Sequence, residues 1–236
     1  ITKSLRFRAS GSTYMSRTPG SASGRQTFTL SLGLKRGALG TNQAVFSATS
    51  DGTQSNEFLV YFATNDTLRI QQTVGGTSAG QIDCTTNAVF RDPSAHLHLQ
   101  LAIDTTQGTS GNRLFLYING TAQTFSTYSV GASINTWVNN NNAHAFGKRA
   151  DASLYGDFYI SRACMVSGSQ LTPSSFGYLN TEINEWVTNS ASAVKAVVDA
   201  GGTNSFMLEF EDGTSLTTLG NDYSAKNNDW TLTNHS

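Results

Sequence analysis

The chain has only two cysteines and three prolines in 236 residues. Two cysteines exclude a disulfide-built scaffold. Charged residues make up 13%, the net charge is −1 and the pI is about 6.5, which argues against nucleic acid as a partner. Apolar runs never exceed a few residues, so no stretch is long enough for a membrane-spanning helix, and no membrane partner is expected. Leu, Glu and Lys lack the density of a helical protein. No initiator Met or signal-like stretch precedes Ile1, which reads as a fragment or processed product. Against these absences stand serine and threonine at about a quarter of the chain, abundant Gly and Asn, and 10% aromatics spread throughout. Threonine, aromatic and β-branched residues suit pleated strands, while Gly and Asn supply turns at positive φ. An all-β domain spanning residues 1–236 follows, with a core and no linker.

Charge is segregated along the chain. Lys3, Arg6, Arg8, Arg17, Arg25, Lys35 and Arg36 precede the first acid, Asp51. The last sixty residues hold Glu182, Glu185, Asp199, Glu209, Glu211, Asp212, Asp222 and Asp229 against Lys195 and Lys226. In Leu5-Arg6-Phe7-Arg8 and in Phe206-Met207-Leu208-Glu209-Phe210-Glu211, apolar and charged residues alternate. Paired as neighbouring first and last strands, these segments set two arginines opposite two glutamates, each pair contributing roughly 0.2–1 kcal/mol.

Further period-2 runs occupy Thr27–Leu34, Ala44–Ala48, Glu57–Ala63, Thr67–Gln72, Gln81–Cys84, His96–Ile103, Arg113–Ile118, Thr121–Phe125, Ala143–Gly147 and Gly156–Val166. Asn119-Gly120 is a hairpin turn signal. The short spacings leave no room for crossover helices, so the strands build an antiparallel sandwich. One helical turn is expected at Leu171–Phe176, with Thr172 as N-cap and Pro173 at N1. A longer helix is expected through Ile183, Trp186, Val187, Val194, Val197 and Val198, ending at Gly201-Gly202.

Several ordered segments point to a family. They are Ser4–Phe7, Ser16–Ala22, Leu34–Gly37, Phe90–Ala95, Ile103–Gln107, Asn112–Gly120, Leu171–Gly177 and Asn227–Thr231. Together the chain resembles the laminin-G-like (concanavalin A-like, pentraxin-like) jelly-roll domains in virion proteins of tailed phages. The resemblance implies a two-sheet antiparallel jelly-roll sandwich with adjacent termini and one or two short helices near the C-terminus. It differs in having Leu30 and Leu34 where aromatic residues are usual.

Pentraxin-like jelly rolls often bind ligands through calcium, the one cofactor the resemblance raises. Gln54–Val60 is similar to the segment that supplies an Asp-Asn ligand pair, with Asn56 matching and Ser55 in place of the acid. The second ligand loop falls at Gly147–Asp151, where Asp151 fits. Lys148 and Arg149 in that loop oppose a cation needing six to eight oxygens. Sugar binding instead needs exposed aromatics beside amides and carboxylates. Trp137, Asn139 and Asn141 offer these in one loop, with Tyr155 and Asp151 as companions.

Other groups have simpler explanations. His96 and His98 share a strand face, as a zinc pair could, yet no third ligand stands at suitable spacing, and the alternation reads as a solvent-facing strand. His144 reads as polar surface, and Trp186 and Trp230 as packing residues. Glu209 and Glu211 have the spacing of a glycosidase carboxylate pair, but lack the central Asp of the sandwich glucanases. Cys84 and Cys164 read as free, buried thiols, and the sequons at Asn65, Asn119 and Asn234 as chance. The expectation is a non-enzymatic module on a virion surface, in a tail or fibre protein assembled in the host cytoplasm. Its partners would be host-surface glycan and other virion proteins, in a homo-oligomer. A structural capsid-decoration or assembly role is the alternative, and a glycoside hydrolase the third class.

Overall fold

The computed structural model describes residues 3–235. Its strands run β1 (Leu5–Phe7), β2 (Tyr14–Arg17), β3 (Thr27–Arg36), β4 (Gln43–Thr49), β5 (Glu57–Phe62) and β6 (Thr67–Val74). They continue with β7 (Thr77–Val89), β8 (Leu97–Asp104), β9 (Leu114–Ile118), β10 (Thr121–Ala122), β11 (Phe125–Val130) and β12 (Ala143–Phe146). Next come β13 (Phe158–Ser167), β14 (Gly177–Asn180), β15 (Glu185–Thr188), α1 (Ala191–Ala200), β16 (Phe206–Leu208), α2 (Leu216–Leu219) and β17 (Thr231–Thr233). A seven-stranded sheet has the order β1-β13-β3-β8-β9-β10, with β16 also on β13. An eight-stranded sheet has the order β11-β7-β6-β5-β4-β12-β2-β17. Every pairing in both is antiparallel, so the fold is the two-sheet jelly-roll sandwich that the sequence predicts.

Alternation explains the core. Phe28, Leu30, Leu32 and Leu34 of β3 and Leu99, Leu101 and Ile103 of β8 face inward, fully buried. Phe46, Phe58, Val60, Ile70 and Ile82 meet them from the other sheet, with the Phe28 and Phe58 rings 6.0 Å apart. The smaller side chains of β3 therefore fill against aromatics on the opposing sheet. Asn119 (φ 49°) and Gly120 (φ 73°) form the expected turn between β9 and β10.

The expected ladder between the first and last apolar strands does not form. β1 pairs with Phe158–Ile160 and β16 with Ala163–Met165, so the two lie end to end along one edge of β13. Between them Arg162 sits at φ 37° in a β-bulge, where an extra residue turns the strand and re-aims its side chain. That side chain takes Glu209, and Arg6 instead lies over the Tyr159 ring. The terminal strand β17 belongs to the other sheet, paired with β2. The two chain ends still meet: the Asn234 amide donates to the Ser12 carbonyl, and the Phe7 and His235 rings are 5.3 Å apart.

The outer face of the seven-stranded sheet is covered. Phe176, Val194, Val198 and Met207 pack on Cys164 and Val166 as a second core. The Trp186 ring of the β14–β15 hairpin stacks on His98 at 5.7 Å. His98, expected on a solvent face, is 5% exposed and shares a hydrogen bond with Ser31. The long expected helix is thus a hairpin followed by a helix. Asn180 accepts from the Glu182 amide at the turn, Asn184 (φ 53°) reverses the chain, and Ser190 caps α1. Pro173–Ser175 makes a 3-10 turn with Pro at its start, but the Thr172 hydroxyl meets Ser174 Oγ rather than a backbone amide.

Candidate functional site

The loop after β11 is held to the sandwich by reciprocal bonds to the segment before β3. Thr136 donates from its amide and hydroxyl to the Arg25 carbonyl, and Arg25 Nε donates to the Thr136 carbonyl at 2.9 Å. The next residue, Trp137, is half-buried. Its amide donates to Gln72 Oε1 and its indole Nε1 to the Thr73 carbonyl, both on β6. The Arg25 guanidinium stands 5.7 Å over the indole. Trp137 is therefore a backing plate for Arg25, which leaves it no free face for a sugar on that side.

Asn139 is 2% exposed at φ 58° and cannot touch a ligand. Its amide N–H donates to His144 Nε2 and its side chain to the Gly24 carbonyl. Since His144 Nε2 accepts, Nδ1 bears the proton and donates to the Asn142 carbonyl at 2.7 Å. His144, read as polar surface, is thus a buried loop anchor, and burial lowers its pKa to about 4. Of the asparagine run, Asn141 is exposed.

Beside this anchor lies a cleft of about 420 Å³, lined by Ala22–Thr27, Asn135 and Gly168. Gly24 (φ 65°) shapes its wall, since a Cβ there would stand 2.7 Å from the Gly168 nitrogen. Among the described residues, Arg25 is the one charged residue lining it. Burial alone depresses its pKa, with no neighbouring charge opposing, yet an arginine stays cationic under such a shift.

The second candidate group lies in the Gly147–Asp157 loop, which crosses the outer face of the eight-stranded sheet. The Leu154 carbonyl accepts from the Ala44 amide and the Lys148 carbonyl from Ser47 Oγ. Asp151, exposed, accepts from the Gln54 amide and from Ser153. Thr73 links this group to Trp137, because its carbonyl receives the indole while its hydroxyl donates to the Gln54 carbonyl at 2.6 Å. Tyr155 is half-buried and faces Tyr14 instead, 6.5 Å away.

The calcium set does not fit. Asn56 donates to Asp51 Oδ2 and accepts from the Gly75 amide, so both ends of its amide are engaged. Arg149 Nε donates at 2.7 Å to Glu57 Oε1, and Glu57 is 1% exposed. Burial raises the Glu57 pKa and the guanidinium opposes that shift. A guanidinium thus occupies the place between Glu57 and the Asp151 loop, and calcium needs six to eight oxygens there.

Two arrangements were not anticipated. On the outer face of the eight-stranded sheet, Arg69 pairs bidentately with Asp83 at 2.9 and 2.8 Å, and donates to Tyr61 Oη at 3.2 Å. The outward positions of β5, β6 and β7 were the available signal, polar residues alternating with Val60, Ile70 and Ile82. The other is a cleft of about 280 Å³ lined by Glu209, Glu211, Asp212 and Asp222 with Tyr223. Glu209 pairs with Arg162 there, Asp222 accepts from Met207, Ser224 and Asn228, and Asp212 from Thr214. Glu209 and Glu211 do not share one strand face, since β16 ends at Leu208 and Phe210 lies at φ 57°.

Compared with protein-family models and with curated protein sequences, the chain matches none. Among solved structures it resembles a protein from Bacteroides ovatus to which carbohydrate binding has been ascribed. The TM-score is 0.54 at 12% identity, covering 98% of this chain and 58% of that one. It also resembles the mouse laminin α1 LG4-5 pair, with TM-score 0.50 at 12% identity over 81% of this chain and 46% of that one. A heptameric pentraxin from Limulus polyphemus aligns at TM-score 0.48 and 13% identity, over 72% of this chain and 74% of that one. The chain thus spans about half the length of the first two. The first two likenesses support a laminin-G-like jelly-roll fold.

Proposed function

We propose that the chain is a single-domain, non-catalytic carbohydrate-binding module, displayed on a phage virion in a tail or fibre protein. There it would hold a host-surface glycan and pack against other virion proteins in a homo-oligomer. The observation that carries glycan binding is the 420 Å³ cleft beside the Trp137 anchor. It is a shallow, open depression of the kind that can receive a surface sugar, and Arg25, Gln26 and Asn135 offer hydrogen-bonding groups around it. The jelly roll ascribed to carbohydrate binding in Bacteroides ovatus supports the reading through its fold. The virion setting is supported by the ordered segments of the sequence resemblance. Absence of catalysis is supported by Glu209, whose carboxylate is held by Arg162.

Binding of the purified domain to a glycan array, with calcium and again with EDTA, tests this. Saturable binding equal under both conditions, and lost on Asn135→Ala with Arg25→Ala, is expected. Silence in both conditions refutes glycan binding. A second reading, virion assembly without glycan, is favoured by one feature: Tyr178, Leu179 and Ile183 of the β14–β15 hairpin are each more than half exposed. Silence on the array together with self-association lost on Leu179→Ser with Ile183→Ser would establish it.

A further inference from the structure

We propose that the cleft beside Trp137 selects acidic glycans, with Arg25 gripping a carboxylate or sulfate on the sugar. This rests on the reading of that cleft as a glycan site. Arg25 is held at three points. Nε is tied to the Thr136 carbonyl, the backbone carbonyl of Arg25 itself receives Thr136, and the guanidinium rests over the Trp137 ring. Only Nε is engaged, and among the described residues both Nη groups of Arg25 are without a hydrogen-bond partner. No carboxylate among the described residues lies within salt-bridge distance of it.

The other buried or half-buried arginines among the described residues have their guanidinium nitrogens engaged. Arg36 meets Asp66, Arg69 meets Asp83, Arg149 meets Glu57 and Arg162 meets Glu209. Arg113 donates to the Gln107, Val130 and Gly108 carbonyls, and Arg17 donates to Asn228 near Asp222 and Asp229. Arg25 alone combines a fixed orientation, partial desolvation and a cleft wall with no acid lining it. A guanidinium with Nε tied presents two Nη donors in one plane, a geometry matched by the two oxygens of a carboxylate or sulfate. Partial desolvation strengthens such a pair relative to one in open water. Neutral sugars would leave the guanidinium without a counter-charge, so they should bind less tightly. Gln26 and Asn135 remain for the sugar hydroxyls.

The test uses the whole domain and an array holding sialylated, uronic-acid and sulfated glycans beside their neutral counterparts. Trigalacturonate and its methyl ester serve as a matched pair in calorimetry. The expected result is binding confined to acidic members and weakened several-fold between 50 and 300 mM NaCl. It should fall at least tenfold in Arg25→Gln and be partly kept in Arg25→Lys, with thermal midpoints lowered by no more than about 6 °C, the cost of the lost Nε bond to Thr136. Trp137→Phe should keep the acidic preference, since a ring still backs the guanidinium, whereas Trp137→Ala should reduce it. Hits confined to neutral glycans, or acidic hits indifferent to Arg25→Gln, would overturn the inference while leaving glycan binding standing. No hits at all would overturn both.

Discussion

Arg162→Ala should be strongly destabilising although it lies outside the hydrophobic core. Arg162 is 10% and Glu209 7% exposed at the side chain. The guanidinium donates to both Glu209 oxygens, and Nη1 donates to the Asn189 carbonyl between β15 and α1. One arginine therefore joins β13, the segment after β16, and the start of the covering layer. Truncation leaves Glu209 buried without a counter-charge, which costs roughly 3–5 kcal/mol. The orphaned Asn189 carbonyl adds about 1 kcal/mol. At about 2–4 °C per kcal/mol for a chain of this size, the thermal midpoint should fall by roughly 8–24 °C. The cost is capped by an escape route, because releasing residues 177–200 lets water reach Glu209. Urea unfolding followed by Trp fluorescence should then show an early phase as Trp186 leaves His98, followed by the sandwich transition. Arg162→Met with Glu209→Met removes both charges and should regain most of the loss. A loss below about 1 kcal/mol in Arg162→Ala, or a double variant as unstable as the single, would refute the argument.

Acid should destabilise the fold through its buried histidines before its carboxylates titrate. His98 and His144 both have pKa values lowered to about 4 by burial, from 6.5. The unfolded chain binds more protons between those limits, so stability falls as pH drops from about 6.5 to about 4, by on the order of 3 kcal/mol per histidine. Urea midpoints at pH 7.0, 5.5 and 4.5 should show that slope, flattened in His98→Asn; an unchanged slope would refute it. Gly120→Ala should destabilise by roughly 1–3 kcal/mol, because its Cβ would stand 2.1 Å from the Trp186 ring at φ 73°. Matched denaturation curves for the variant and the parent check this. Cys84 and Cys164 are buried, and burial pushes the Cys84 thiol up to about 12 and Cys164 higher. Both should resist a thiol reagent in native buffer and react in urea; native labelling would refute their burial.

The strands were legible because alternation is a local property. Thr27–Leu34 and Glu57–Ala63 show it with bulky residues on one parity, and β3 and β5 follow within two residues at each end. Asn119-Gly120 was legible for a similar reason, since φ > 0 at two consecutive positions admits few residue pairs. The covering layer was not legible in the same way. Ile183, Trp186, Val187 and Val194 fit helical spacing on paper, but Trp186 is drawn into a hairpin by His98 and the open face of Gly120. Both of those partners lie more than sixty residues earlier in the chain. The polar parity of β8, His98 with Gln100, resembles a solvent face to any local reading and is buried because the segment carrying Leu171, Phe176 and Trp186 folds across it.

The candidate site divides along the same line. Trp137 and the asparagine run were visible from composition, as an aromatic beside amides. Which faces remained free was decided by tertiary contacts, with Thr73 taking the indole N–H, Gly24 and His144 taking Asn139, and Arg25 taking one ring face. Arg25 appeared in the sequence as one of seven early cations, indistinguishable from Arg36. By itself the sequence determined which residues point inward, where the tight turns fall and that the sheets are antiparallel, because steric alternation and turn geometry act over a few residues. Only the tertiary structure decided which arginine acquires a carboxylate and which is left facing a cleft. Charge pairing depends on distances between segments far apart in the chain, and no local pattern encodes them.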